Sequence, residues 1–354
     1  MVRVSDIGEL ELLQWLYERL GNQPILQSLN LLTDVGDDAA VIKLSPTISL
    51  VVTTDALIED VHFRCEWASA MDIGWKALAV NVSDLAAMFA EPIGAVVSIA
   101  LPESTPVTWV QEFYDGILKF ASTANIAIVG GDTVRSPRGI AITVTAFGNN
   151  PHVIPKRSNA QVGDMIVVTG TLGDSALGLR ALSHGQMDAL ECNALRDVIQ
   201  RHLQPQPRWR EGLVARAMEC CKCAIDISDG LVMDLDHIAQ MSQVVIELWL
   251  DCIPISEAAR KVAEQLRCSA LETALYGGED YELLMAIPEA CVTHLCDEIH
   301  TRCGTQCTII GRVLEGPAGI YGITPDGKRI RLHGGYEHFK AEPAQSAIPP
   351  LTMQ

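Results

Sequence analysis

Ala224-Ile225-Asp226-Ile227-Ser228-Asp229-Gly230-Leu231 is the stretch that decides the fold. A short β-type run over 224–227 breaks into Ser228-Asp229-Gly230, and a helical pattern follows over 231–241. Strand, tight turn and helix in immediate succession are the unit of α/β folds. The same grammar recurs outward. Residues 165–169 read as a strand, 175–182 and 208–218 as helices, 244–250 as a strand and 256–266 as a helix. A further strand over 282–287 is opened by Tyr276-Gly277-Gly278-Glu279-Asp280-Tyr281. The first half begins with a helix over 7–20. Two β runs follow over 39–44 and 48–53, the second ending in Thr53-Thr54-Asp55. A mostly buried helix (71–89), a strand (94–101), a helix (106–124), a strand (126–129) stopped by Gly130-Gly131-Asp132, and a strand (140–147) complete it. From about Gly316 the chain is turn-rich, and no short repeat occurs.

With 354 residues, 48% of them hydrophobic, the chain is long enough for about two domains, each with its own core. The segment 148–162, rich in Gly, Asn, Pro, Lys, Arg and Ser, is the expected linker. The expected division is 1–150, 151–340 and a loosely ordered tail, 341–354. Forty-four acidic against 26 basic residues give a net charge of −18, which excludes a nucleic-acid clamp and points to divalent cations wherever a phosphate is met. Asn81, Asp84, Glu91 and Pro92 interrupt the most apolar region, and acidic residues occupy the amino terminus, so neither a membrane span nor a secretory leader is expected. A cytoplasmic protein follows. Eleven cysteines, an odd number, read as reduced, mostly core thiols. The pair Cys220 and Cys223 is interrupted by Cys221 and has no second pair to complete a zinc set.

The chemistry lies in aspartates at expected strand ends and helix starts: Asp37, Asp38, Asp55, Asp84, Asp132, Asp226 and Asp229. Any one alone is most simply a turn former or helix cap, as Asp229 illustrates. Gathered at one sheet edge they would repel strongly, and hard cations with oxygen ligands are the usual remedy. Magnesium shared with phosphate oxygens, beside glycines that allow close backbone approach, fits a nucleotide–metal site. Standard phosphate motifs are absent. Gly322 to Arg329 lacks the final hydroxyl of a P-loop and reads as a Pro-Asp-Gly turn. Gly170 to Ser175 follows a strand and precedes a helix, so its amides could hold a phosphate or form a plain turn.

Six blocks occur in order: Val35-Gly36-Asp37-Asp38-Ala39-Ala40, Thr53-Thr54-Asp55 with His62-Phe63, residues 76–88 around Asn81-Val82-Ser83-Asp84, Gly130-Gly131-Asp132-Thr133, Ile225 to Leu231, and Gly277-Gly278-Glu279-Asp280-Tyr281-Glu282-Leu283. The series resembles the thiamine-monophosphate kinases, of the aminoimidazole ribonucleotide synthetase-like superfamily, from about residue 5 to 340. The resemblance implies a two-domain α/β (α+β) fold whose N-terminal domain dimerises through its sheet, with the active site between the domains. It implies ATP-dependent phosphorylation of thiamine monophosphate to thiamine diphosphate, assisted by several magnesium ions. Metal ligands would be Asp38, Thr53, Thr54, Asp55, Asp84, Asp132, Asp226 and Asp229, with Asp55, Asp84 and Asp132 central to catalysis. Tyr114, Gly131, Asp132, Arg157 and Ser228 would contact ATP. His62 and Glu279 match substrate positions, and Tyr336 or Phe339 could stack on the rings. A linker arginine is otherwise simply solvated, though it can clamp phosphate bidentately. The family's stacking aromatic corresponds here to His333. Relatives that work through a reactive cysteine fit less well, since the first cysteine is Cys65 and the chain ends Leu351-Thr352-Met353-Gln354. The remaining rivals are aminoimidazole ribonucleotide synthesis and a non-catalytic acidic metal-binding protein.

Overall fold

The structure is a computed structural model and describes residues 3–21, 23–33, 35–183 and 193–335. Its first half runs α1 (Val4–Gly21), β1 (Leu31–Thr33), β2 (Ala40–Ser45), β3 (Ile48–Ile58), α2 (Ala70–Ala87), β4 (Glu91–Leu101), α3 (Val107–Ala124), β5 (Ala127–Arg135) and β6 (Ala141–Asn149). The six strands form one sheet in the order β1-β2-β3-β6-β4-β5, antiparallel except where β4 meets β5. The second half runs β7 (Asp164–Thr169), α4 (Asp174–Ser183), α5 (Asn193–Leu203), α6 (Trp209–Met218), β8 (Cys223–Asp226), α7 (Leu231–Ser242), β9 (Val245–Trp249), α8 (Glu257–Gln265), α9 (Ala270–Tyr276), β10 (Leu283–Pro288), α10 (Glu289–Cys303), β11 (Cys307–Leu314), β12 (Gly319–Ile323) and β13 (Arg329–Leu332). Its sheet has seven strands in the order β13-β12-β9-β11-β7-β10-β8. This is the expected two-domain α/β (α+β) architecture.

Helix α2 is the hinge of the architecture. Ser69 and Asp72 cap it reciprocally, each side chain accepting from the other's backbone N–H. Its apolar faces then run all round, and it is buried almost throughout, as an amphipathic surface helix is not. One flank packs on the first sheet and α3; the other meets the second domain, where Ala86, Ala87 and Phe89 join a core with Val167, Val214, Leu283 and Met285. The crossing with α3 is close because Gly74 and Gly116 face the partner backbone: a β-carbon at Gly74 would lie 1.9 Å from the Phe113 carbonyl oxygen, and one at Gly116 2.0 Å from that of Met71.

Two strands run further than their sequence predicts. β3 does not stop at Thr53-Thr54-Asp55, because Thr53, Thr54 and Asp55 pair with Ala146, Thr145 and Val144 of β6. β5 continues through Gly130-Gly131-Asp132 to Arg135, paired along β4. The glycine there serves close approach rather than a turn, since a β-carbon at Gly131 would meet the Val97 carbonyl oxygen at 1.9 Å. The stretch beyond Gly316 contains the paired strands β12 and β13, joined through Pro325-Asp326-Gly327, with Gly327 at φ 82°. The ten cysteines among the described residues are free thiols. Burial, followed by the neighbouring Cys291, pushes the Cys220 thiol up to about 11. Against the expectation of mostly core thiols, only Cys221 and Cys223 of these ten are buried, seven are partly buried and Cys65 is exposed. No helix among the described residues is long and apolar enough to cross a membrane. Residues 341–354 lie outside the described residues.

Candidate active site

Four aspartates from four elements meet between the domains. Asp38 precedes β2, Asp55 stands on the inward face of β3, Asp84 on α2, and Asp226 ends β8. Asp38, Asp84 and Asp226 each offer a carboxylate oxygen, all three within 4.8 Å of one another. Helix α2 organises them. Ser83 Oγ donates to Asp226 Oδ2 at 2.6 Å, Asp84 accepts from the Thr53 hydroxyl, and Asn81 Oδ1 accepts the Asp55 N–H at 3.1 Å while its amide nitrogen donates to Ala77 O. The cluster is short of positive charge. Burial and the Asp38 carboxylate push Asp55 up to about 6. Burial and the neighbouring aspartates raise Asp84 and Asp226 well above the ordinary carboxylate range.

Arg157 supplies part of the missing charge. Its Nη2 lies 2.7 Å from Asp38 Oδ1 and its Nε 3.4 Å from Oδ2, a fork-to-fork pair, and its backbone N–H donates to Asp37 Oδ1 at 2.8 Å. The Asp38 side chain is 1% exposed in this embrace. Burial works against the guanidinium's charge, but Asp38 outweighs it and raises its pKa. Next to this set, Asp229, Asp234 and His237 form a second group with ligand atoms within 4.8 Å. The Asp229 N–H donates to Asp234 Oδ2 at 3.3 Å, and burial, then Asp229 and Asp226, raise Asp234.

The loop before β10 is laced onto the end of β8. The Glu279 N–H donates to Ser228 O at 2.7 Å and the Tyr281 N–H to Ile227 O at 2.8 Å, and a β-carbon at Gly278 would lie 2.3 Å from Ser228 O. Each acidic residue of the loop then reaches a different element. Glu279 Oε2 lies 2.9 Å from Lys76 Nζ and 3.1 Å from His202 Nδ1. Burial alone would raise this carboxyl; Lys76 and His202 reverse that and hold it far below the ordinary range. Asp280 accepts the Gly173 and Ser175 N–H groups at 2.8 and 3.4 Å. The amides of the 170–175 loop thus close on a side chain, which favours the plain-turn alternative over a phosphate cradle. Glu282, fully buried, is gripped by Arg201, Arg208 and the Thr169 hydroxyl.

Other expected site residues stand elsewhere. Thr53 and Asp55 face the cluster, so the period-two alternation of β3 turns Thr54 to the opposite, exposed face, where Thr145 Oγ1 bonds it at 3.0 Å. Asp132 lies on the same exposed face, in register with Ser98 and Thr143, beside a shallow groove lined by Val96, Ser98, Gly131, Thr143 and Thr145. Tyr114 is half-buried on α3, edge-on to Phe113 at 5.3 Å. His62 Nδ1 accepts the Ile58 N–H at 3.0 Å beside buried Phe63. His333 is exposed, and Tyr336 and Phe339 lie outside the described residues. The residues that sequence reasoning left without a role are Lys76, Asn81, Ser83, His202, Asp234 and His237. A lysine inside the apolar run 73–80 of α2, and Asp234 and His237 three apart on α7, were the available signals.

Residues 36–149 match the family described as AIR synthase related protein, N-terminal domain, and residues 161–322 its C-terminal domain. The thiamine-monophosphate kinase of Buchnera aphidicola subsp. Acyrthosiphon pisum is 37% identical over 314 residues, 88% of this chain and 94% of that one. That of Escherichia coli (strain K12) is 34% identical over 333 residues, 94% and 98% of the two chains. The solved structure of AaThiL complexed with AMPPCP and TMP superposes with a TM-score of 0.82 at 32% identity, covering 96% of this chain and 99% of the other. The chain belongs to the thiamine-monophosphate kinase family.

Proposed function

We propose that this chain transfers the γ-phosphoryl group of ATP directly, in line, to the terminal phosphate oxygen of thiamine monophosphate, giving thiamine diphosphate and ADP. The observation that carries the reading is the convergence of Asp38, Asp55, Asp84 and Asp226 from both domains on one cleft, bordered by the Glu279 loop. A relative solved with an ATP analogue and TMP, matching along nearly the whole chain, supports it.

Magnesium fits the donor set. Three oxygen-only ligands lie within 4.8 Å of one another, and the raised carboxyl groups mark a cluster lacking compensating charge. Asp38, Asp55, Asp84 and Asp226 would hold it, with Asp229 from the adjacent group. When bound, it would neutralise phosphate charge and orient the two phosphates. Thr53, which faces the cluster, belongs to the reading as a ligand by family resemblance, as do Thr54 and Asp132 on the sheet's other face, away from these four. Tyr114, Gly131, Arg157 and Ser228 belong to it as ATP contacts on the same ground.

The chain's own residues position rather than react. A phosphate monoester has its second pKa near 6, so the acceptor oxygen is already anionic at neutral pH and needs no general base. No covalent intermediate is required, and catalysis reduces to aligning two polyanions and spreading the charge of a loose transition state. Arg157, anchored by Asp38 and Gly36 O with 18% of its side chain exposed, spends three of its five N–H donors on these contacts, which leaves two for phosphate oxygens. Glu279 answers the acceptor's pyrimidine or its cationic thiazolium, and His62 belongs to the reading as a substrate contact by family resemblance.

The reading also includes a homodimer through the first sheet, whose outer face carries exposed Val96 and Val134. It includes a cytoplasmic location and domains at 1–150 and 151–340. The test is turnover with ATP and magnesium, offering thiamine monophosphate or free thiamine and detecting thiamine diphosphate by chromatography. Product from the monophosphate alone is expected; none, from protein that still binds magnesium-ATP, moves the proposal to another phosphorylated acceptor.

A further inference from the structure

Lys76 and His202 come from different domains and meet on one oxygen. Lys76 lies on α2 and is 3% exposed; His202 ends α5 and is 5% exposed. Burying an ammonium is costly unless it is paired. Here Lys76 Nζ bonds Glu279 Oε2 at 2.9 Å, His202 Nδ1 lies 3.1 Å from the same oxygen, and Ser175 Oγ lies 3.1 Å from that ring nitrogen. Among the described residues Oε1 accepts no hydrogen bond, and the Glu279 side chain keeps 26% of its surface exposed. The backbone at Glu279 is left-handed, φ 63°, a conformation that a non-glycine residue holds only when its surroundings impose it. One carboxylate oxygen is thus fixed by two buried basic side chains, while the other is left unbonded among the described residues on a side chain that is one-quarter exposed.

We propose that Lys76 and His202 are positioning residues for the acceptor: acting through Glu279, they set affinity for the aminopyrimidine-bearing substrate while leaving the ATP side untouched. This rests on the reading of Glu279 as an acceptor contact. The arrangement explains why a lysine interrupts the apolar run of α2, where a purely structural position would take an aliphatic side chain. It also makes the acceptor site depend on both domains being docked, since α2 belongs to the first and α5 to the second.

The test is steady-state kinetics on the full-length enzyme with magnesium, varying thiamine monophosphate and ATP separately. Lys76→Met should raise KM for thiamine monophosphate about tenfold or more, the scale of one charge-assisted hydrogen bond, while KM for ATP stays within about twofold. In a Glu279→Gln background the same substitution should add less than about twofold, because its effect runs through that carboxylate. Equal rises in both KM values, or a full additional loss in the Glu279→Gln background, would overturn the proposal. Should Lys76→Met not fold, His202 decides. His202→Leu should raise the acceptor KM, and His202→Asn, which keeps a donor near Nδ1, should restore it; identical behaviour of the two would also overturn the proposal. If the wild-type enzyme does not turn over thiamine monophosphate at all, it is the assigned reaction that fails, a result distinct from either.

Discussion

Replacing Asp55 by Asn should make the metal-free protein more stable and the enzyme nearly inactive. In the folded chain burial and the Asp38 carboxylate raise this carboxyl from 3.8 to about 6. A raised acid binds its proton more tightly when folded, so its charge costs the folded state nothing below about pH 4, where both states are protonated. The cost grows between about 4 and 6 as the unfolded chain alone releases the proton. Above 6 it reaches about 3 kcal/mol. Asparagine keeps the shape and carries no charge. In EDTA at neutral pH the variant should therefore melt on the order of 5 °C higher, with the advantage fading on acidification to pH about 4. Saturating magnesium should reverse the order, because the ion binds the native wild type better. Calorimetry in EDTA and in magnesium reads both effects, and turnover should fall by about two orders of magnitude. A variant that melts at or below the wild type in EDTA at neutral pH, or that keeps normal turnover, refutes the electrostatic account of the cluster.

Arg157→Lys loses the fork that spans both Asp38 oxygens, so kcat/KM for ATP should drop at least about tenfold in initial-rate measurements. Gly116→Ala must push α3 off α2, because its β-carbon would sit 2.0 Å from the Met71 carbonyl oxygen; urea denaturation should register a loss of about 1–3 kcal/mol. Glu282→Gln removes the charge that compensates Arg201 and Arg208 in a fully buried position, and should cost about 3 kcal/mol in the same experiment without changing KM for ATP.

What could be read from the sequence was local. Asp226-Ile227-Ser228-Asp229-Gly230 follows a short apolar strand and precedes a helix, and the structure ends β8 at Asp226 and starts α7 at Leu231. Thr53-Thr54-Asp55 and Gly130-Gly131-Asp132 looked like strand ends by the chemistry of their residues, yet pairing with β6 and β4 carries both strands onward. Which face of a strand a side chain takes depends on register, and register is set by the neighbours. The separation of Thr54 and Asp132 from Asp55 and Asp84 was therefore invisible. The contacts that complete the site are longer range still. Lys76 meets Glu279 across 203 residues and Ser83 meets Asp226 across 143, and no spacing rule joins positions so far apart.

On this mechanism the carboxylate cluster directs phosphoryl transfer from ATP to thiamine monophosphate. Following label from γ-labelled ATP in a single turnover, with wild type and Asp84→Asn at saturating magnesium, tests it most directly. Label should appear in the terminal phosphate of thiamine diphosphate with the wild type, without a labelled protein intermediate, and at about one hundredth of that rate or less with the variant. Label trapped on the protein, or transfer at the wild-type rate by Asp84→Asn, would contradict it.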